Sequence, residues 1–550
     1  MTWGAFLAAA VLLASPASAS VEEGSALAAY VRARAADSAG SAEQAASNYA
    51  AALALAPQNE VLAARALSQA IAAGDRTLAL QAARVLDSSG KLAPDGRLLL
   101  VGDAFRSKQW KEAARQIERL EQDEVFSFMT PLLRAWLAQG SGKGNPLALL
   151  QAGSGNALAS TYASEHRPLL LLAQGKAKEG AAALAPLLAD QSIRSQRLRI
   201  AAAAIVARKS GRSEALALLQ GEADALAAAR GRLEAGRRLG GEIVTPAAGM
   251  AELLSRMALD LNGQDVPQLA LSFARLATFL APDNAESWLI AADLLSGQGR
   301  HDAALSALAK VPRDDVFAAT AADRRMTVLV EANRTDEALA EARKAAADGP
   351  SGIDNWTRLG DILNQAKRHS EAAAAYGRAL DLVKAGVEAQ HPLWALWLLR
   401  GSALTQAGDW AGGKAALEEA RRLGPDQPVV LNFLGYSQLE RRENLAEAEK
   451  MIGEANRLQP GDAAITDSLG WAHYVRGDVA KAIELLERAA QGQPADAAIA
   501  EHLGDAYYSA GRRFEARYAW RAALHHAEGP AADRLRTKID TGLRPELAAP

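Results

Sequence analysis

Apolar and small residues along this chain recur three and four positions apart, in stretches broken at short intervals by Gly, Pro, Asn and Asp. That pattern predicts amphipathic helices joined by tight turns along nearly the whole length. In the C-terminal third it acquires a longer period: Gly401, Gly435, Gly470 and Gly504 follow one another at 34, 35 and 34 residues. Counting Gly470 as position 8 of a 34-residue unit puts Gly477 at 15, Ala482 at 20, Leu486 at 24, Ala489 at 27 and Pro494 at 32. The next unit fills these slots with Gly504, Gly511, Ala516, Trp520 and Ala523. Each slot has a physical reason. Gly or Ala at 8 and 20 lets two antiparallel helices approach at their crossing, Gly at 15 opens the turn, and Pro near 32 ends the second helix because it lacks an amide donor and collides with the turn behind it.

The register extends upstream. Gly360, with Trp356, Leu359, Ala372, Tyr376 and Ala379, opens a unit 41 residues before Gly401, which predicts a second helix lengthened around 384–391. Trp288, Gly299, Ala304 and Leu308 mark another unit, with Ala258, Ala270, Ala277 and Pro282 before it and Ala338, Ala345 and Pro350 after it. Gly40, Ala45, Tyr49, Ala52 and Pro57 form a first unit, and 62–236 keeps helix-turn-helix spacing in degenerate form, with Gly74, Gly102, Gly175 and Gly211 as turn or crossing residues. A period of 34 residues is the signature of tetratricopeptide (TPR) repeats. The expected fold is therefore all-α, a right-handed superhelical solenoid of TPR helix-turn-helix repeats. A break at 236–249, containing Thr245-Pro246, is expected to be a hinge between two solenoid halves. The expected organisation is then degenerate TPR-like repeats over 20–240, a TPR array over 246–529, and a capping helix and tail over 530–550. In that last segment Leu535, Ile539 and Leu543 form one apolar face, while Lys538 and its charged neighbours point mostly elsewhere.

Residues 1–19 read as a signal peptide. The apolar run at 5–14 is too short to span a membrane, and Ala17-Ser18-Ala19 supplies small residues for cleavage after Ala19, although no Lys or Arg precedes the run. An apolar first helix is the alternative. The expected localisation is periplasmic. No later segment has the length and hydrophobicity of a transmembrane helix, and the chain has no cysteine, so it carries neither a disulfide nor a lipidated cysteine.

Composition and motifs argue against chemistry. Gly140-Ser141-Gly142-Lys143-Gly144 lacks phosphate-loop spacing and a preceding strand, and reads as an interhelical connection. The eight histidines include no His-Glu-x-x-His, and the adjacent His525 and His526 point to different faces of a helix, so no metal site is expected. A Gly-x-Ser-x-Gly elbow is absent, and Asp314-Asp315 reads as solvated surface. With a net charge of -3 and a short basic cluster at 230–238 broken by Glu234, nucleic acid is not an expected partner. No catalytic residue or cofactor is expected, and the chain reads as a binding protein, not an enzyme.

In this architecture positions 2, 5, 9 and 12 of each first helix line the concave side. They supply Asn432, Tyr436 and Leu439, then Asp467, Trp471 and Tyr474, then Glu501, Asp505 and Tyr508. Aromatic rings offer contact area at low entropic cost, and the carboxylates favour a basic or amine-bearing segment. Packing of these aromatics between repeats, Tyr474 above all, is the competing expectation.

The runs Leu431-Asn432-Phe433-Leu434-Gly435-Tyr436-Ser437, Glu443-Asn444-Leu445-Ala446-Glu447-Ala448, Asp467-Ser468-Leu469-Gly470-Trp471-Ala472-His473-Tyr474 and Glu501-His502-Leu503-Gly504-Asp505-Ala506-Tyr507-Tyr508 are more specific than generic repeats. From about Ser25 to Leu543 the chain resembles exported TPR proteins of alphaproteobacteria. Its C-terminal repeats are also similar to those of the outer-membrane TPR lipoprotein that serves pseudomonads as adaptor for a periplasmic C-terminal-processing protease. The resemblance implies a scaffold that gathers protein or peptide partners, including such a protease and its cell-wall hydrolase substrates. The anchoring cysteine of that lipoprotein has no counterpart in this chain. A scaffold in envelope polysaccharide export or outer-membrane assembly is the alternative.

Overall fold

The computed structural model describes residues 26–151, 155–189, 192–209, 211–221, 223–348, 352–387 and 392–549. The expected signal peptide at 1–19, Pro350 and the end of the 384–391 insertion lie outside the described residues. Among the described residues there are thirty α-helices, three short 3-10 turns and no strand, and most helices pack chiefly on a neighbour in sequence. The all-α helical-repeat solenoid is as expected. The chain divides into two compact units between Asn333 and Arg334.

The expected hinge at 236–249 is therefore corrected. Thr245 caps a helix, Pro246–Gly263, by accepting a bond from the Ala248 amide on its Oγ1, and Pro246 occupies the first turn, where its missing amide costs nothing. This helix and the next, Pro267–Leu280, fold back onto the first unit, against the helices Glu60–Ala73, Pro94–Arg106 and Thr130–Ser141. Gly249 is an element of that packing. A Cβ there would overlap the Trp136 indole, so only glycine admits this approach. The Arg106 guanidinium fixes the end of the second helix by donating to the carbonyls of Phe279, at 2.6 Å, and Leu280, at 3.2 Å.

A buried ion cluster closes the same unit. Arg194 and Arg197, on the helix Ile193–Lys209, meet Glu252 of the 246–263 helix and Glu286 of the helix Ala285–Gly297. Arg197 lies 3.3 Å from Glu252 and 2.9 Å from Glu286, with all three side chains buried. Burial pushes the Glu286 carboxyl up to about 7, against the pull of Arg197, and the neighbouring Glu252 reinforces the rise. Beside it lies a cleft of about 740 Å³ whose lining includes Phe105, Trp110, Pro246 and Asn284. Its two arginines, Arg106 and Arg197, are already engaged by the carbonyls and carboxylates just named.

The second unit contains five hairpins: Gly352–Gln365 with His369–Lys384, Leu393–Gln406 with Trp410–Leu423, Pro428–Glu440 with Leu445–Leu458, Ala463–Val475 with Val479–Gly492, and Ala497–Ser509 with Arg513–His526. The 369–384 helix is the longest of them, in line with the expected insertion. The periodic glycines face the bulky residue near position 24 of the partner helix. A Cβ on Gly470 would stand 2.8 Å from Leu486 Cγ, and one on Gly504 would overlap the Trp520 ring. Gly477 and Gly511 turn the chain at φ of 89° and 80°, which glycine adopts without strain.

Candidate partner-binding face

Three first helices position the expected binding residues. The 463–475 and 497–509 helices start at aspartate caps: Asp462 accepts from the Ile465 amide at 2.9 Å, and Asp496 from those of Ala498 and Ile499. Pro428 opens the 428–440 helix. The nine side chains then fall on one helix face at the expected register, but their environments differ from the expectation.

Trp471 was expected to present its ring to solvent. It is 3% exposed and stacked between Tyr474, at 4.6 Å, and His502, at 4.2 Å. The reason is geometric: neighbouring first helices stand close enough that the position-9 indole fills the space between them, and Leu439 is buried in the same cluster. The competing expectation, packing between repeats, holds for both rings: Trp471 is buried, and the half-buried Tyr474 packs against clusters of the preceding and the following repeat, its hydroxyl 3.0 Å from that of the exposed Ser509.

The carboxylates are likewise taken. Asp467, buried, holds the His502 Nδ1 at 3.0 Å from both its oxygens. Glu501 receives the Arg534 guanidinium at 2.8 and 2.7 Å and Lys538 Nζ at 2.6 Å. Asp505, fully buried, receives Lys538 Nζ at 2.8 Å, the Trp520 indole at 2.9 Å and the Ala549 amide at 2.8 Å. Lys538 has no solvent exposure, so the expectation that it points away from the repeats is corrected. The helix Gly529–Thr541 packs on the last hairpin, with Leu535 buried and Ile539 and Leu543 packed around it, and it delivers two cations to the acidic positions. A basic ligand would therefore find these charges neutralised.

Asn432, Tyr436, Tyr474 and Tyr508 are half-buried, and Asn432 Oδ1, itself shielded, has no hydrogen-bond partner among the described residues. A shielded acceptor without a donor is costly unless something supplies one. Burial raises the Tyr436 hydroxyl above its ordinary pKa, with Glu440 and Asp467 adding to the rise, so the group is a donor at neutral pH.

His502, Arg534, Lys538 and Ala549 were missed from sequence. The i, i+4 spacing from Arg534 to Lys538, which repeats that of Glu501 to Asp505, was the available signal. His502 has a checkable consequence. Burial lowers its pKa, but the Asp467 carboxylate outweighs this and holds it above the ordinary 6.5. A raised folded pKa means the contribution is present in full below about pH 6.5 and is lost as pH rises through the folded value. Denaturant midpoints of the second unit should fall as pH rises above about 6.5. His502→Gln should flatten that slope, and an unchanged slope in the variant would assign it elsewhere.

Among the described residues no helix is long and apolar enough to cross a membrane, and no group of three or more His, Asp or Glu could hold a metal ion.

No family model matches the chain. Over 160 residues it is 32% identical to a TPR repeat-containing protein of Pseudomonas aeruginosa. That match covers 29% of this chain and 26% of the relative, so the chain spans about a quarter of the relative's length. Among solved structures, a TPR protein of Parabacteroides merdae is 12% identical, covering 53% of this chain and 98% of that one at a TM-score of 0.36. MamA of Desulfovibrio magneticus is 16% identical, covering 32% and 96% at 0.27. YrrB, described as a TPR protein with an unusual peptide-binding site, is 21% identical, covering 32% and 86% at 0.26.

Proposed function

We propose that the chain is a non-enzymatic scaffold that binds proteins or peptides through the first-helix face of its second unit. We further propose that it works in the periplasm as an adaptor, bringing cell-wall hydrolases to a C-terminal-processing protease. The observation that carries the binding reading is the face itself: half-buried Tyr436 lies one helical turn from the unpartnered Asn432 acceptor, and half-buried Tyr474 stands on the next first helix. Rings of this kind, fixed by packing and open on one side, are the anchors that dominate binding energy, and a shielded acceptor selects a partner that brings a backbone or side-chain donor. The protease and hydrolases rest on the resemblance of the C-terminal repeats to an adaptor of such an enzyme. The periplasmic assignment rests on the pattern of residues 1–19.

Co-purification from envelope extract with the full chain as bait tests both levels. Protease and hydrolases should be recovered together. Tyr436→Ala should lower their recovery by about thirtyfold, the equivalent of ~2 kcal/mol for a truncated central anchor. Recovery of polysaccharide synthase and porin components in their place would overturn the protease reading. Equal recovery with a folded Tyr436→Ala variant would overturn the face.

A further inference from the structure

The 529–541 helix stands where a sixth repeat would place its first helix, but no second helix follows it among the described residues. Gly542, buried and at φ of 86°, reverses the chain against Tyr508; a Cβ there would overlap the tyrosine ring, so the reversal requires glycine. Residues 543–549 then run back across the first-helix face. Leu543 packs with Leu535 and Trp520, residues 545–547 form a single 3-10 turn, and Ala549 ends the run 8% exposed, in the apolar cluster that contains Leu439, Trp471 and Ala472. Its amide donates to Asp505 Oδ2 at 2.8 Å. Arg544, Pro545 and Glu546 between them are exposed and unread.

We propose that residues 543–549 are an exchangeable internal ligand of this face, and that its external ligand is an extended peptide segment carrying a small apolar residue at the Ala549 seat, which must displace the tail to bind. The inference rests on the scaffold reading and names how that site is regulated. Two features define the ligand. Asp505 reads a backbone amide and not a cation, because Lys538 already occupies its other contacts. The seat beside Trp471 takes a methyl group and is closed over it, which selects alanine-sized residues. The hold is also of the right strength for exchange. Beyond Leu543, which stays with the helix it follows, the run is anchored on the face by the Ala549 amide and its buried methyl group, a weak hold, yet a short tether supplies the tail at an effective concentration of order millimolar, so it outcompetes weak ligands and yields to strong ones.

The test uses the full chain and a fluorescein-labelled synthetic peptide of residues 543–549, followed by anisotropy. Ala549→Glu places a carboxylate beside Asp505 and should expel the tail without touching Lys538. This variant should bind the peptide at least tenfold more tightly than the unaltered chain. A peptide carrying the same Ala→Glu change should bind neither. No gain in affinity for a variant that keeps its helical circular dichroism would overturn the proposal. Hydrogen exchange on the unaltered chain gives a second reading, independent of how the variant folds: the Ala549 amide should exchange slowly and be exposed when excess peptide is added, and exchange at the rate of a free peptide would also overturn it. Both measurements use only this chain's own sequence. Their failure leaves the adaptor reading untouched, and failure of envelope capture leaves the tail's role untouched.

Discussion

Lys538→Met is expected to cost the second unit about 3–5 kcal/mol, because removing one partner of a buried ion pair leaves the other charge unpaired. The ammonium lies 2.6 Å from Glu501 and 2.8 Å from both oxygens of Asp505, with no solvent around it. Glu501 retains Arg534, but Asp505 would keep only the Trp520 indole and the Ala549 amide. Burial already holds the Asp505 carboxyl above its ordinary pKa, and the ammonium is the main force opposing that shift. Without it the carboxylate must take up a proton or open the fold. The double variant Lys538→Met with Asp505→Leu should recover much of the loss, since apolar replacement of both partners is often near neutral. Denaturant unfolding monitored by hydrogen exchange over 497–549 reads the effect. A loss below ~1 kcal/mol, the range of exposed pairs, would show that this triad is solvated.

Arg197→Met should damage the first unit by a similar ~3–5 kcal/mol, and here the cost depends on pH. Glu252 would still have Arg194 at 3.2 Å, whereas Glu286 would lose its ion-pair partner and keep only the more distant pull of Arg194 among the described residues. Glu286 already titrates at about 7 in the folded chain, so in the variant it would be pushed higher and be protonated at neutral pH. A group whose folded pKa is raised contributes stability in full below its unfolded value near 4.5, and that contribution is lost as pH rises toward the folded value. The penalty in Arg197→Met should therefore be larger at about pH 8 than at about pH 5. Hydrogen exchange over 193–297 at both pH values checks it, and a penalty independent of pH would place Glu286 outside the effect.

How much of this was legible in the sequence depends on how local each feature is. The crossing glycines were, because a repeat that brings two helices together at one level leaves no room for a side chain, and Gly470 and Gly504 meet Leu486 and Trp520 as that argument requires. The fold-back of the first unit was not. Gly249 looks like loop punctuation beside Thr245-Pro246, yet it is a helix residue set against Trp136, and helical periodicity carries no record of which distant helix a face will meet. The face assignment was half legible. Register placed nine residues on one side of three helices, but register cannot say that Trp471 lies between helices or that Lys538, flanked by apolar Leu535 and Ile539, turns inward to meet Glu501 and Asp505. Those outcomes depend on the complementary charges of two helices and on a tail that returns over them.

The scaffold account stands most directly on where partners touch the chain. A photoreactive residue at Val429, 48% exposed in the first turn of the 428–440 helix and so at position 2 of the proposed face, leaves the buried contacts intact. Tyr518, 58% exposed on the second helix of the last hairpin, serves as the control. Irradiated envelopes should yield protein adducts at residue 429 and none at residue 518. Adducts at 518 with none at 429 would contradict the account.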